Sequence, residues 1–286
     1  MNSPYKDKPE PFFKGHKELI VVDKKDFLGL HLGYECKVWR YEEFAEYLFD
    51  WVMEFATAFS DLGKLNVSNC RKLIKDAAER VYTTDNYGSR GEFGELMLHA
   101  ILRELFDTEP AVCKLFYKSA QNDPVKGFDA VHVRKGDDGV ELWLGEVKFY
   151  DNIHSAINSV IGEIKQHLSG GKLRQEFACV GKLIDAEWEF AESVKALMSR
   201  RTSLDKIFQA ICVPVLLTYD SKIVHAAKEI SDKFLADLKK ELETHEKDFR
   251  GKLSNCPVKV HLILLPLSSK QLLIDELEKK LKGMQL

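Results

Sequence analysis

Two predominantly apolar stretches, residues 210–219 and 257–266, limit what this chain can fold into more than anything else in it. Each has the length of a strand, and neither alternates apolar with polar. Helical patterns at 187–201, 223–249 and 270–282 lie around them. A strand that is apolar on both sides must be covered on both sides, and neighbouring strands joined by helices meet that need. The expected class is α/β, a mixed sheet flanked by helices. The longest apolar run, 258–267, contains Lys259, His261 and Pro266 and is far too short to cross a membrane.

The upstream third reads as an N-terminal α/β extension. Strands are expected at 18–23 and 28–34, and helices at 41–60 and 68–82, the second capped by Ser68. The turn-rich segment 83–88 is the natural boundary, giving a region 1–85 and a larger domain 86–286. In the larger domain a helix is expected at 90–106, with Phe93, Met97, Ile101 and Leu105 inward, and a strand at 112–120. The helix over 153–168 carries the cleanest apolar stripe (Ile153, Ala156, Ile157, Val160, Ile161, Ile164, Leu168) and should end at Gly170-Gly171.

Composition excludes little. A net charge of −3 does not advertise a nucleic-acid binder. Two basic clusters stand out, Lys114 with Lys118, Lys126, Arg134 and Lys135, and Lys195 with Arg200, Arg201 and Lys206; each alone reads as a solvated face. The six cysteines have no metal or redox spacing, which predicts reduced, buried thiols and a cytoplasmic setting. The first residues lack the apolar core of a secretory signal, and no phosphate-cradling ATP motif or zinc array is present.

Chemistry concentrates between residues 88 and 168. Gly127-Phe128-Asp129-Ala130-Val131-His132-Val133 and Val140-Glu141-Leu142-Trp143-Leu144-Gly145-Glu146-Val147-Lys148-Phe149-Tyr150 read as adjacent strands joined by a hairpin around 135–139. Alternation puts Glu146 and Lys148 on one face, and the hairpin brings Asp129 beside them. Two carboxylates and an ammonium on apolar strands are costly unless they pair or are used. The plain alternative is a structural ion pair, with Asp129 closing a turn. On the preceding helix, Ser89-Arg90-Gly91-Glu92 fits a capping box, so Glu92 has a local role. Glu95 lies at the edge of the apolar stripe and is preferred as the sheet-facing acid, with Glu92 as the alternative. Gly91 and Gly94 weaken that helix by about 1 kcal/mol each and would permit close approach. His154, Asn158 and Lys165 lie opposite the later helix's stripe, Asn158 being the one considered for phosphate, and Tyr150 is expected in the core.

These residue types suit phosphodiester hydrolysis. Asp129 and Glu146 offer hard oxygens to Mg²⁺ or Mn²⁺, and a bound metal screens phosphate charge and acidifies water. Lys148 would orient the water or stabilise the pentavalent state, and Glu95 would reach a second metal, or the first through water.

A helical Glu, a strand Asp, Glu-x-Lys on the next strand and a following helix resemble the PD-(D/E)xK nucleases, with Phe128 where Pro usually precedes the Asp. More narrowly, Arg90-Gly91-Glu92-Phe93-Gly94-Glu95, Gly127-Phe128-Asp129 and Leu144 to Tyr150 are similar to the HamA family, nuclease subunits of Hachiman anti-phage systems. The resemblance implies a restriction-endonuclease-like fold and catalytic roles for Asp129, Glu146, Lys148 and Glu95. It also implies a Val147 carbonyl completing the metal shell, DNA as substrate, and a HamB-like superfamily 2 helicase that restrains the nuclease until infection. No base-reading motif is visible, so nonspecific, salt-dependent backbone contact is expected. An RNA-cutting nuclease and a non-catalytic binding module are the alternatives; metal binding separates the second from an enzyme. The N-terminal region, with exposed-looking Phe12, Phe13, Trp39 and Tyr41, is the expected helicase contact.

Overall fold

The computed structural model describes residues 3–82, 91–113, 127–136 and 139–285. Its strands are β1 (Ile20–Lys24), β2 (Phe27–Leu30), β3 (Tyr34–Glu35), β4 (Val38–Trp39), β5 (Glu109–Pro110), β6 (Ala130–Gly136), β7 (Gly139–Phe149), β8 (Ile211–Asp220) and β9 (Lys259–Leu267). Seven of them form one sheet in the order β1-β2-β9-β8-β7-β6-β5, while β3 and β4 pair separately. The neighbours β7, β8, β9 and β2 run parallel, and antiparallel pairs close both edges.

The two apolar runs are the middle of this sheet. β8 is buried from Ile211 to Tyr219 and β9 from Val260 to Leu267. The helices, in chain order, are α1 (Tyr41–Asp50), α2 (Val52–Ala56), α3 (Phe59–Leu62), α4 (Cys70–Tyr82), α5 (Gly91–Leu105), α6 (Ile153–His167), α7 (Gly170–Leu183), α8 (Ala191–Leu197), α9 (Leu204–Ala210), α10 (Lys222–Ala226), α11 (Asp232–Lys252) and α12 (Lys270–Gln285). The fold is thus α/β, a restriction-endonuclease-like mixed sheet flanked by helices, with the N-terminal α/β segment joined to it.

Several helices are shorter than their patterns suggest. The apolar period over 41–60 continues across breaks at Trp51 and at the extended Thr57-Ala58, so one expected helix is three pieces, α1 to α3. The period records which side must be buried, and a bent path satisfies it as well as a straight one. The pattern over 223–249 likewise divides into α10 and α11, because Ser231 caps a new start by accepting the Phe234 N–H at 3.2 Å. The 187–201 pattern contracts to α8. Gly170-Gly171 opens α7 instead of closing α6, which already ends at His167.

The N-terminal segment shares the sheet and the core. β1 and β2 extend the sheet beyond β9, and α1 packs on α12. Phe12, Phe13 and Trp39 are buried, contrary to the exposed partner surface expected of them, and only Tyr41 is half-exposed. Their burial has a local cause: the buried Glu104 carboxylate accepts the backbone N–H groups of Phe12 at 3.1 Å and Phe13 at 2.7 Å, which folds the segment inward. The expected boundary at 83–88, Ser89-Arg90, residues 114–120 of the expected strand, Lys126 and the hairpin tip 137–138 lie outside the described residues. Of the six thiols only Cys113 and Cys212 are buried, so most do not fit the expected buried class. Among the described residues, no helix is long and apolar enough to cross a membrane.

His261 on β9 makes the sheet acid-sensitive. It is buried against Phe106, ring centroids 4.7 Å apart, and its Nε2 has no hydrogen-bond partner among the described residues. Burial holds its pKa down from 6.5 to about 4. The unfolded chain therefore takes up the proton first. The neutral ring's contribution is intact above about 6.5 and is lost as pH falls toward about 4. Replacing His261 with Phe should remove roughly 2 kcal/mol of the stability lost between neutral pH and the low end of that window. Urea denaturation across that range checks this; equal pH slopes for the two proteins would contradict it.

Candidate active site

The corner where β6 begins and β7 ends collects the charged residues. The β6–β7 register pairs Ala130 with Gly145, so the next step outward sets Asp129 opposite Glu146. Asp129 Oδ2 accepts the Val147 N–H at 2.9 Å, which ties the start of one strand to the other. Glu146 and Lys148 point to the face covered by α6. Glu146, only 1% exposed, has its Oε1 2.6 Å from His167 Nδ1, and Lys148 Nζ donates to Glu163 Oε2 at 2.5 Å. Burial works to lower the Lys148 pKa, but Glu163 and the charges of Asp129 and Glu146 outweigh it and hold the ammonium above its ordinary value. Asp129, Glu146 and Lys148 are thus one electrostatic group.

Two local features shape the corner. Phe128 packs edge-on against the His167 ring, centroids 4.9 Å apart, and so fixes the imidazole against Glu146. Gly127 has φ +152° and a Cβ there would come within 3.1 Å of the Glu176 carboxylate, so a side chain at this turn would be strained and would push that carboxylate aside. Glu176, on α7, places Oε1 3.9 Å from His167 Nε2, leaving the imidazole between two carboxylates.

Glu95 belongs to the other face. Gly94 brings α5 onto β7 so closely that a Cβ would lie 3.0 Å from Phe149 and 3.1 Å from Val147, residues alternate to Glu146 and Lys148. At Gly91 a Cβ would meet nothing among the described residues, so among these the close approach is made at Gly94. Glu95 is buried and Glu92 half-exposed, as the helical wheel requires. Glu95 and Asp129 line one narrow cleft together with Glu54, His99 and His132.

Behind that cleft runs a buried polar chain. His99 Nε2 lies 3.1 Å from Glu54 Oε1, His99 Nδ1 is 3.2 Å from His132 Nε2, and His132 Nδ1 is 2.8 Å from Thr108 Oγ1. A carboxylate only accepts, so the order of donors is fixed: His99 Nε2 toward Glu54, His132 Nε2 to His99, Thr108 to His132. Burial holds the pKa of His99 down and that of His132 well down, so both rings are neutral links.

Other expectations fare differently. Tyr150 is exposed rather than in the core, because β7 ends at Phe149. Asn158 accepts from Lys252 at 3.1 Å, His154 lies 3.5 Å from Asp248, and Lys165 is exposed; none of them faces the corner. The helix residues that do are Glu163 and His167. With Ser159, whose hydroxyl donates to Glu163 at 3.3 Å, they recur every four residues beside the apolar stripe, a spacing visible in the sequence.

Among the described residues, no group of three or more His, Cys, Asp or Glu side chains is arranged to hold a metal. The available donors are two carboxylates, Asp129 and Glu146, and the Val147 carbonyl. That set suits Mg²⁺, which is commonly held by one or two carboxylates while keeping waters and substrate phosphate oxygens.

The architecture is that of an α/β, nuclease-like fold. The family to which the chain belongs is HamA, whose profile matches residues 10–281. The chain is also similar to an Escherichia coli K12 protein named anti-bacteriophage protein A, 27% identical over 153 residues. The match covers 52% of this chain and 27% of that protein's length, so the chain spans well under half of this relative. No solved structure matches it.

Proposed function

We propose that this chain is a metal-dependent, sequence-nonspecific DNA nuclease acting in the cytoplasm as an effector of anti-phage defence. Membership of HamA and the name of the E. coli relative support the defence role. The observation that carries the chemistry is the corner itself, where Asp129 is bound to the Val147 N–H and Lys148 sits in the combined field of Asp129 and Glu146.

Asp129, Glu146 and the Val147 carbonyl would hold Mg²⁺ or Mn²⁺, which supplies charge neutralisation at the phosphate and an acidified water. The chain's own groups do the rest. Lys148 donates to a phosphate oxygen and stabilises charge as it builds there. His167 holds the Glu146 carboxylate in place, and Glu163 keeps Lys148 charged and aimed. Glu95 faces the cleft beside Asp129, where it would accept from a bound water. A nuclease of this kind needs restraint, and a HamB-like superfamily 2 helicase is the proposed partner. The surface for it is not the buried Phe12, Phe13 and Trp39.

The pairing of Glu146 with His167 and Lys148 with Glu163 also fits a purely structural network in a non-catalytic binding module. Incubation of supercoiled plasmid with the purified chain separates the readings. Nicking or degradation is expected with Mg²⁺ or Mn²⁺, none with EDTA, and none for Glu146→Gln. Cleavage by Glu146→Gln at the wild-type rate would refute the nuclease reading.

A further inference from the structure

We infer that the start of α7 and the turn between α8 and α9 form a basic face that binds nucleic-acid backbone and leads it to the β6–β7 corner. The inference rests on the nuclease reading only for what happens to the strand once it arrives. In the sequence, Lys195, Arg200, Arg201 and Lys206 look like one solvated cluster, and Lys172 and Arg174 belong to no cluster at all. The fold joins them. The Arg174 guanidinium donates to the Arg200 carbonyl at 3.3 Å and to the Thr202 carbonyl at 3.0 Å, fastening α7 to the turn. The turn is held from within as well, since the Thr202 hydroxyl donates to the Ala196 carbonyl at 2.8 Å and the Arg201 N–H to the Ser199 hydroxyl at 3.3 Å. Arg200, Arg201 and Lys206 are all exposed on this fixed support.

The charge is one-sided. Over 170–174 and 199–206 five cations face a single acid, Asp205. None of Lys172, Arg174, Arg200, Arg201 and Lys206 has an ion-pair partner among the described residues.

The face adjoins the corner. α6 ends at His167, which touches Glu146, and α7 begins at Gly170. Lys172 and Glu176 are four apart on α7 and share one side of it, and Glu176 stands 3.9 Å from His167. Lys172 is therefore one helical turn, roughly 5 Å, along the same side from the edge of the candidate site. The turn is fastened at Arg174, two positions from Lys172 and so on the opposite flank of α7; a polyanion on Arg200 and Arg201 would cross the exposed outer side of α7, at Gly171 and Gln175, to reach Lys172 and the edge of the corner. The shared chemistry is a phosphodiester backbone, and DNA and RNA duplexes form separate arms of the test.

Anisotropy of labelled DNA and RNA duplexes of one sequence, measured in EDTA over a range of salt, tests the face on the full chain. The variant carrying Lys172→Gln, Arg200→Gln and Arg201→Gln should bind at least tenfold more weakly. Its salt dependence should be shallower by about 0.9 in log–log slope for each phosphate that the variant no longer neutralises. Arg201→Glu, a single change at an exposed side chain, should weaken binding several-fold with unchanged thermal stability. Lys233→Gln with Lys239→Gln and Lys240→Gln, exposed on α11, should bind like the wild type. Wild-type affinity and slope in the triple variant, or no nucleic-acid binding by the wild type, would overturn the inference. Binding that is lost in the triple variant, from a wild type that never cuts plasmid, would leave the face standing and reject the nuclease instead.

Discussion

Lys148→Ala is expected to reduce plasmid cleavage by at least about 10²-fold, the usual loss when one preorganised donor to a developing oxyanion is removed. The chain should stay folded, because Lys148 lies at the rim of the sheet and its loss frees Glu163, which is half-exposed and can take up water. Lys148→Arg should not rescue the rate: a planar fork cannot replace a compact point charge in a corner shaped by Asp129 and Glu146. Glu163→Gln gives a different readout. Burial pulls the Lys148 pKa down and Glu163 is the largest opposing influence, so its neutralisation should bring the alkaline limb of the pH–rate profile to lower pH while Lys148 is still present. Wild-type cleavage by Lys148→Ala would remove Lys148 from the mechanism.

The second large effect concerns stability. Arg103 is 1% exposed and binds the Glu54 carboxylate through two nitrogens at 2.5 and 3.0 Å, the Tyr5 carbonyl at 2.6 Å and the Thr108 carbonyl. Burial works to raise the Glu54 pKa, and His99 and Arg103 together hold it below its ordinary value. Arg103→Met would leave that carboxylate buried beside two carbonyls that have lost their donor. The expected cost is about 3–5 kcal/mol. At a few degrees per kcal/mol, that is a fall of roughly 10 °C in Tm. Adding Glu54→Gln should return part of the loss, since the double variant no longer buries a lone charge, and the two changes should be clearly non-additive. Calorimetry of the wild type, both single variants and the double variant measures this; an Arg103→Met protein within about 1 kcal/mol of wild type would show the pair to be solvated.

What the sequence discloses depends on whether a feature repeats locally. The apolar runs on β8 and β9, the hairpin of β6 and β7 and the stripe of α6 are local patterns, and each is found within a few residues of its expected place. The pairing of Asp129 with the Glu146–Lys148 strand follows from alternation and a short turn, so this part of the corner is readable too. Glu95 is readable only as an inward residue; the sheet face it meets depends on how α5 crosses β7 at Gly94. The chain from Glu54 through His99 and His132 to Thr108 joins residues from separate elements, and no short-range pattern announces it. The burial of the N-terminal aromatics is hidden for a similar reason, since Glu104, 92 positions beyond Phe12, holds that segment inward.

The pairing of β2 with β9 bears on how a helicase contact can be mapped. Cutting away residues 1–85 would strip β9 of its neighbour and bare a long, greasy strand rim, a ready template for clumping. Lost co-purification after such a deletion would then report a sticky, damaged body and not a missing docking patch. Single surface substitutions, each checked for melting temperature, are the sound way to test for and map the proposed helicase contact.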